Sequence, residues 1–362
     1  MKHWMETRQV LDRAAHLAAA GRRAALATVV GLRGSAYRRE GAKMLVAEDG
    51  SSVGNVSGGC LEQDVREVAA QVIAAGKPQL RSYCSGSDQV EAWDLGLGCD
   101  GQVDVFVEVL ADPRLGERAL LNGRRAFAAC SVIHGVSGPA GRLVITDTSV
   151  SGSLDPALDV AVTAAARQRL AAGGSGTAVQ GNATVFIDVL RPPPQLVLFG
   201  AGDDAVPLAR AAGEAGFRVV VVDYRAAYLT AERFPDAGAL VNADGHDGLD
   251  ALDLDADAYA VIMTHNFVHD QAYVGALLQT PVSYIGLLGP SARRNRILQN
   301  LSLPAPVGSV AEGRLYGPVG LDLGTDGAEQ VALAVLAEVL AVRSGRQGRP
   351  LRDRASPIHG DD

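Results

Sequence analysis

Two hydrophobic periods alternate along the chain. Residues 4–20, 61–75 and 155–172 carry apolar positions at helical spacing, while 24–30 (AALATVV), 43–47 (KMLVA), 103–109 (VDVFVEV), 130–134, 142–146 and 183–190 are short apolar runs of strand length. They predict a mixed α+β region. After it, 195–199, 218–222, 259–263 and 282–286 read as nearly continuous apolar strands, separated by a glycine turn, a helix over 205–215 and longer connections. Strands apolar on both faces, alternating with helices, predict a doubly wound parallel sheet, so the fold class is α/β. A last helix over 328–343 repeats apolar residues at Val331, Val335, Leu336, Val339 and Leu340. Between the two patterns stands Arg191-Pro192-Pro193-Pro194, which can continue neither helix nor strand. The expected division is a first domain over 1–190, a linker over 191–194, a second domain over 195–343 and a flexible tail over 344–362. No internal repeat stands out.

Composition narrows the function classes. The chain has 362 residues, a net charge of -8, 48% hydrophobic and 20% charged residues, which argues against nucleic-acid binding and against a disordered regulator. No stretch approaches the ~20 apolar residues of a membrane span, and the N-terminal pattern lacks a signal-peptide core, so a soluble cytoplasmic protein is expected. Cys60, Cys84, Cys99 and Cys130 form no C-x-x-C pair, and free thiols are expected.

In the second domain Gly200-Ala201-Gly202-Asp203-Asp204 follows a strand and opens a helix, and Asp223 ends the next strand, with Arg225 just beyond it. That is the context of a dinucleotide fingerprint, in which glycines admit a pyrophosphate and the strand-end acid accepts from ribose hydroxyls. Asp203 and Asp204 stand where the pyrophosphate would lie and can satisfy the helix dipole themselves. NAD, another nucleotide, a nucleotide-bearing pterin, a metal-bridged phosphate and a vestigial scaffold all remain open. Thr264-His265-Asn266 follows the strand 259–263 at a ligand-binding edge; His265 and His269 fall at i, i+4 beside Asp270, either toward a metal or as a helix cap and a surface histidine. Gly286 and Gly289 lead into the basic run around Arg294, an anion clamp or a solvated helix start.

In the first domain the turn from Gly34 and Ser35 through Arg38 to Lys43 offers backbone donors and bases to an anion, or is a charged surface loop. Ser57-Gly58-Gly59-Cys60, followed by Leu61 and Glu62, puts a thiol at the start of the helix 61–75, where amides and dipole favour a reactive or metal-seeking sulfur. Gly98-Cys99 places a second candidate thiol in a glycine-flanked turn. Cys130, in an apolar strand, reads as an inert buried thiol.

These pieces together resemble the XdhC/CoxI family, through ATVVGLRGSAYRREGAKMLVAEDGSSVGNVSGGCLEQDV, GLGCDGQVDVFVE, LVLFGAGDDAVPLARAAGEAGFRVVVVDYR, VIMTHNFVHD, YIGLLGPSARRNRIL and PVGLDLGTDGAEQVALAVLAEVLAVRSGR. Ser-Gly-Gly-Cys is closer to the CoxI-like branch. The resemblance implies a Rossmann-like second domain and an accessory role. Such a factor binds the molybdenum cofactor, as molybdopterin or its dinucleotide form, assists its sulfuration with a cysteine desulfurase and inserts it into a xanthine dehydrogenase or CO dehydrogenase type apo-molybdoenzyme. It also implies that Gly34–Lys43, Ser57–Glu62 and Cys99 face the cofactor, and that Gly200, Gly202, Asp223, His265 and Asp270 form the second-domain site. A homodimer is expected, and a cofactor-binding chaperone rather than a stand-alone enzyme. The alternative is an NAD(P)-dependent oxidoreductase with His265 as proton donor.

Overall fold

Strand alternation decides the architecture of the first half of the chain. The computed structural model describes residues 2–34, 37–84, 101–110, 114–135, 141–244, 249, 252–301, 311 and 313–354. They divide into two units, 2–192 and 193–354. In the first, helix α1 (Lys2–Ala19) is followed by β1 (Ala24–Gly34), β2 (Lys43–Ala47), β3 (Ser52–Gly54), α2 (Glu62–Ala75), β4 (Gln79–Cys84) and β5 (Gly101–Val109). These strands form an antiparallel sheet in the order β3-β2-β1-β5-β4. After α3 (Leu115–Asn122), the strands β6 (Phe127–His134), β7 (Arg142–Ile145), β8 (Val150–Ser153), β9 (Gly176–Gln180) and β10 (Ala183–Leu190), with α4 (Pro156–Ala172) between β8 and β9, form a second sheet in the order β8-β7-β6-β10-β9.

Each sheet turns one face to its own helix. Ala27, Val29, Met44, Val105 and Val107 pack on Val65, Val68 and Val72 of α2, and Cys130, Val132, Ile145 and Ile187 pack on Val162 and Ala166 of α4. Each large buried aliphatic contributes roughly 1.5–3 kcal/mol. The alternate residues point the other way, since successive side chains of a strand leave on opposite faces. Leu26 and Leu45 meet Val10, Ala14 and Leu17 of α1; Phe127, Ala129 and Leu190 meet Trp4, Leu11 and Leu121; and Val30, Phe106 and Phe186 cluster with Ile133 where the sheets meet.

The two sheets are one module used twice, a repeat that residue identities do not betray. Each half runs β-β-β-α-β-β with the same strand order. The register extends the match to single residues. Thr28 pairs with Lys43 on one side and Phe106 on the other, as Ser131 pairs with Arg142 and Phe186. Further along, Leu26 opposes Glu108 as Ala129 opposes Asp188. Even the irregularity recurs, because the register slips at Val30 in β1 and at Ile133 in β6. A bulge is a feature of the backbone path, so its repetition at equivalent positions marks a repeated path rather than a chance likeness of strand order.

The equivalent charges come together between the sheets. Lys43, of which 2% of the side chain is exposed, donates to Asp188 and to the Gly41 carbonyl at 2.8 Å. Asp188 also accepts from His3 Nε2 at 2.9 Å and Ser175 Oγ at 3.2 Å. Arg142 makes a two-point contact with Glu117, at 2.7 and 3.0 Å, and donates to Ser131, while Arg114 donates to Glu108. Burial opposes ionisation of Asp188 and Glu117, but Lys43 and the hydrogen-bonded His3 beside one, and Arg142 and Arg114 beside the other, hold both carboxyls below the usual range.

The second unit is a six-stranded parallel sheet, β13-β12-β11-β14-β15-β16, in which β11 (Gln195–Phe199), β12 (Arg218–Asp223), β13 (Ala239–Asn242), β14 (Tyr259–Ile262), β15 (Tyr284–Leu287) and β16 (Leu315–Tyr316) follow the doubly wound order. One face is covered by α5 (Ala205–Glu214) and α8 (Ala328–Arg343), the other by α6 (Phe267–Leu277) and α7 (Ser291–Asn300). The strands that sequence patterning passes over, β3, β4, β8, β9, β13 and β16, are short or lie at sheet edges with much of their surface in solvent, where alternation is weak. Among the described residues no helix is long and apolar enough to cross a membrane.

Three outcomes test this arrangement. Arg142→Met removes the two-point partner of a buried carboxylate and should cost roughly 3–5 kcal/mol in urea unfolding at neutral pH. Because Asp188 and Glu117 titrate lower in the folded protein than in the unfolded chain, their contribution is complete above about pH 4–5 and is lost as pH falls through their folded values. Urea melts from pH 7 down to pH 3 should show that loss setting in. Gly200, at φ +120, would place a Cβ 2.5 Å from the Met263 carbonyl oxygen. Gly200→Ala should therefore lower stability by roughly 2–4 kcal/mol, read by thermal unfolding.

Candidate functional site

Antiparallel geometry gathers the first unit's candidate loops at one edge of its first sheet. Gly34 at the end of β1 pairs with Gly101 at the start of β5, Met44 pairs with Gly54, and Cys84 pairs with Gln102. The connections 35–42, 55–61 and 85–100 therefore all leave the same edge. Ser35, Gly98 and Cys99 lie outside the described residues.

Ser57-Gly58-Gly59-Cys60 is shaped by Glu62. Its carboxylate accepts from the Val56 and Ser57 amides at 3.1 and 2.8 Å and from Ser57 Oγ at 2.5 Å, and Ser57 Oγ accepts from the Gly59 and Leu61 amides at 3.1 Å each. Burial works against the charge on Glu62, yet these hydrogen bonds bring its carboxyl below the ordinary value. Gly59 adopts φ +121 with open space where a Cβ would stand, and Gly58 lies over the exposed Tyr37 ring. The Cys60 thiol is half-buried, its apolar side against the α2 core. Helix α2 begins at Glu62, later than the expected 61, so Cys60 stands ahead of the helix rather than in its first turn, which holds Glu62 and Asp64. Glu62 is a brace for the loop rather than an outward-facing group.

Two expected anion donors are committed elsewhere. Lys43 is buried on Asp188, and Arg38, its side chain 12% exposed, makes a two-point contact with Glu6 of α1. Both face inward because β2 begins on the covered face of the sheet and α1 presents a carboxylate there. Cys130 is fully buried, and burial pushes its thiol up to about 12, the state of an inert sulfur.

In the second unit the glycine turn and the Thr264 loop adjoin at the switch point between β11 and β14. Asp223 holds the turn from within. One carboxylate oxygen accepts from the Ala201 amide at 2.7 Å and Arg225 Nη2 at 2.8 Å, the other from the Arg225 amide at 2.8 Å and Arg225 Nε at 3.0 Å. Within the fold four donors occupy its lone-pair directions. Asp203 accepts from Arg233 at 2.9 Å, and a Cβ on Gly202 would meet the Asp204 carboxylate at 2.7 Å.

His265 sits at φ +59, a backbone conformation rare outside glycine, and its Nε2 bonds Asp204 at 2.7 Å. His269 goes to Asp244 at 2.9 Å and stacks on Tyr224 with ring centroids 4.4 Å apart. Asp270 accepts from Thr264 Oγ1 and from Arg293 at 2.9 and 2.6 Å. Of the two readings left open, the one that converges His265, His269 and Asp270 on a metal is not favoured, because the three side chains take separate partners. Among the described residues no three His, Cys, Asp or Glu side chains gather to hold a metal. Asn266 caps α6, accepting from the Val268 amide at 2.9 Å.

Part of the basic run is engaged within the unit. Arg293 reaches Asp270 and, with Arg296, lies over Phe267, while Arg294 lies against Gly317. Gly286 is glycine for packing, since a Cβ would meet Val319 at 2.5 Å, and Gly289 takes φ +117 ahead of α7. Sequence reasoning passed over Asp188, His3 and the Arg142–Glu117 pair. A charged residue inside an otherwise apolar strand, as in ATVFIDVL, was the available signal for Asp188.

Known proteins place this arrangement. Residues 17–84 match the XdhC and CoxI family and residues 196–339 match the XdhC Rossmann domain. The chain is 34% identical over 330 residues to a probable xanthine dehydrogenase subunit of Bacillus subtilis (strain 168), covering 88% of this chain and 93% of that protein. It is 26% identical over 340 residues to the molybdenum cofactor insertion chaperone PaoD of Escherichia coli (strain K12), covering 93% of this chain and 88% of PaoD. A crystal structure described as a xanthine dehydrogenase from Bacillus halodurans superposes with a TM-score of 0.75 at 28% identity, covering 96% of this chain and 98% of that one. With its paired antiparallel sheets, its Ser-Gly-Gly-Cys loop and its doubly wound second unit, the chain belongs to the XdhC and CoxI family.

Proposed function

We propose that this chain is a maturation factor that binds the molybdenum cofactor, assists its sulfuration and delivers it to a xanthine dehydrogenase or CO dehydrogenase type apo-enzyme. The cofactor is cargo, not a resident group. The observation that carries the reading is the Ser57–Cys60 loop, in which Glu62 and Ser57 fix a chain of amides beside a half-buried thiol. A thiolate is a soft donor suited to a sulfur-seeking metal, and a glycine-rich edge admits a planar, phosphate-bearing pterin closely to backbone amides. The similarity to PaoD, an insertion chaperone by name, supports the same role.

In this reading Cys60, and Cys99 on the connection 85–100, face the molybdenum. Backbone donors of the turn from Gly34 take the pterin phosphate, because Arg38 and Lys43 are engaged by Glu6 and Asp188. A cysteine desulfurase supplies the sulfur, the factor works as a homodimer in the cytoplasm, and the client is a molybdoenzyme. The NAD(P) oxidoreductase reading is weakened by the four donors already on Asp223.

Anaerobic purification from a molybdenum-sufficient host, followed by metal analysis and fluorescence of the released, oxidised pterin, tests the reading. Molybdenum and pterin are expected in near-equal amounts. Cys60→Ala should lower both at least tenfold with an unchanged circular dichroism spectrum, whereas Cys130→Ala should leave them as they are. A protein that refuses added cofactor and binds NADH would reverse the conclusion.

A further inference from the structure

The duplicated module of the first unit has diverged in a directed way. In the first copy the connection from β3 to α2 is the loop 55–61; in the second, β8 reaches α4 through Leu154 and Asp155, with Asp155 capping the helix and Pro156 in its first turn. The connection from β4 to β5 is the segment 85–100, whereas β9 and β10 are joined by the tight turn Gly181-Asn182. Both enlargements fall on the first copy, at the edge that carries Cys60. At these two connections the second copy is short.

The charged equivalents have diverged in the same sense. Arg142 of the second copy reaches Glu117 on α3 and Ser131 on the neighbouring strand. Lys43, its equivalent in the first copy, reaches across to Asp188 of the second and back to the Gly41 carbonyl at the end of the 37–42 turn. That turn rests directly on the carboxylate: a Cβ on Gly41 would stand 2.7 Å from Asp188 Oδ1 and 2.8 Å from the His3 ring. Gly41 takes φ +90 there, and its amide donates to the Val29 carbonyl at 2.8 Å. Asp188 is itself held by Ser175 Oγ at 3.2 Å, which also accepts from the Val189 amide at 2.9 Å. The carboxylate is thus an anchored post, and Lys43 with Gly41 is what it carries.

We infer that the second copy acts as a brace for the first, and that Asp188 is a positioning residue that sets the 37–42 turn at the thiol-bearing edge through Lys43 and Gly41. The inference rests on the cargo reading only for what the turn contacts, since the bracing itself can be measured without cargo.

The repeat supplies its own control. Asp188→Asn keeps the shape and removes the charge under the turn; Glu117→Gln does the same to the carboxylate paired with the equivalent cation Arg142, far in sequence from the turn. Amide hydrogen exchange on the full chain is the readout. In Asp188→Asn the amides of 37–42 should exchange at least tenfold faster, with β6, β7 and α4 near the wild-type rate. In Glu117→Gln the 37–42 amides should stay at the wild-type rate, even where urea unfolding shows a comparable loss of stability. Equal acceleration of 37–42 in both variants, or acceleration throughout the first unit in Asp188→Asn, would show a merely structural carboxylate and overturn the inference.

Gly41→Ala, which drives a methyl onto the same carboxylate, should reproduce the local acceleration if Asp188→Asn does not fold; normal exchange at 37–42 in that variant also overturns it. Pterin and molybdenum retention is read on the same samples, and Asp188→Asn should lose at least tenfold while Glu117→Gln loses none. A wild-type protein without cargo would count against the maturation role alone, and the exchange pattern would still decide the bracing.

Discussion

A layer of charged side chains buried between two antiparallel sheets is the constraint on which the first unit depends. Removing an ion from water costs several kcal/mol, and the cost is recovered only where partners meet in good geometry. Hydrophobic burial is non-directional and by itself specifies register less sharply than a paired charge does. Lys43 on β2 facing Asp188 on β10 is such a pair. It meets in one register of the two sheets, and that register carries the turn at Gly41 with it. The apolar cluster of Val30, Phe106, Phe186 and Ile133 closes the same layer from the other side.

The repeated topology accounts for the position of this layer. Equivalent strand positions in the two copies bring Lys43 and Arg142, Glu108 and Asp188 to equivalent places on the two inward faces. A basic and an acidic residue in each copy give a complementary pair of faces, as in a symmetric dimer where one patch serves both partners. Once joined in one chain the copies were free to differ. The first carries the longer connection 55–61 with Cys60, and the second joins β8 to α4 and β9 to β10 through two residues each.

The second unit shows the opposite economy. Its glycine turn, strand-end acid and switch-point loop have the layout of a dinucleotide site, but the chain fills that layout with its own side chains. Asp223 closes on Ala201 and Arg225, Asp204 on His265, and Asp270 on Thr264 and Arg293. The fold type alone therefore says little about a bound nucleotide, since function resides in which donors and acceptors remain open.

Local pattern was enough for much of this protein. The run of apolar residues before Gly200 and its recurrence at 218–222, 259–263 and 282–286 determined a parallel sheet, because strands buried on both faces need apolar side chains throughout. The glycines at 58 and 59 and the cysteine after them were legible as a loop ahead of a helix for the same reason: backbone permissiveness is a property of the residue itself. What tertiary structure decided was partnership. Nothing adjacent to Lys43 indicates Asp188, nothing adjacent to Arg38 indicates Glu6, and the likeness of β1 to β6 lies in register and bulge rather than in residue identity. Burial and pairing are set by segments distant along the chain, so which charges were available to a ligand, and which served to hold the loops that meet it, became visible only once the sheets were assembled.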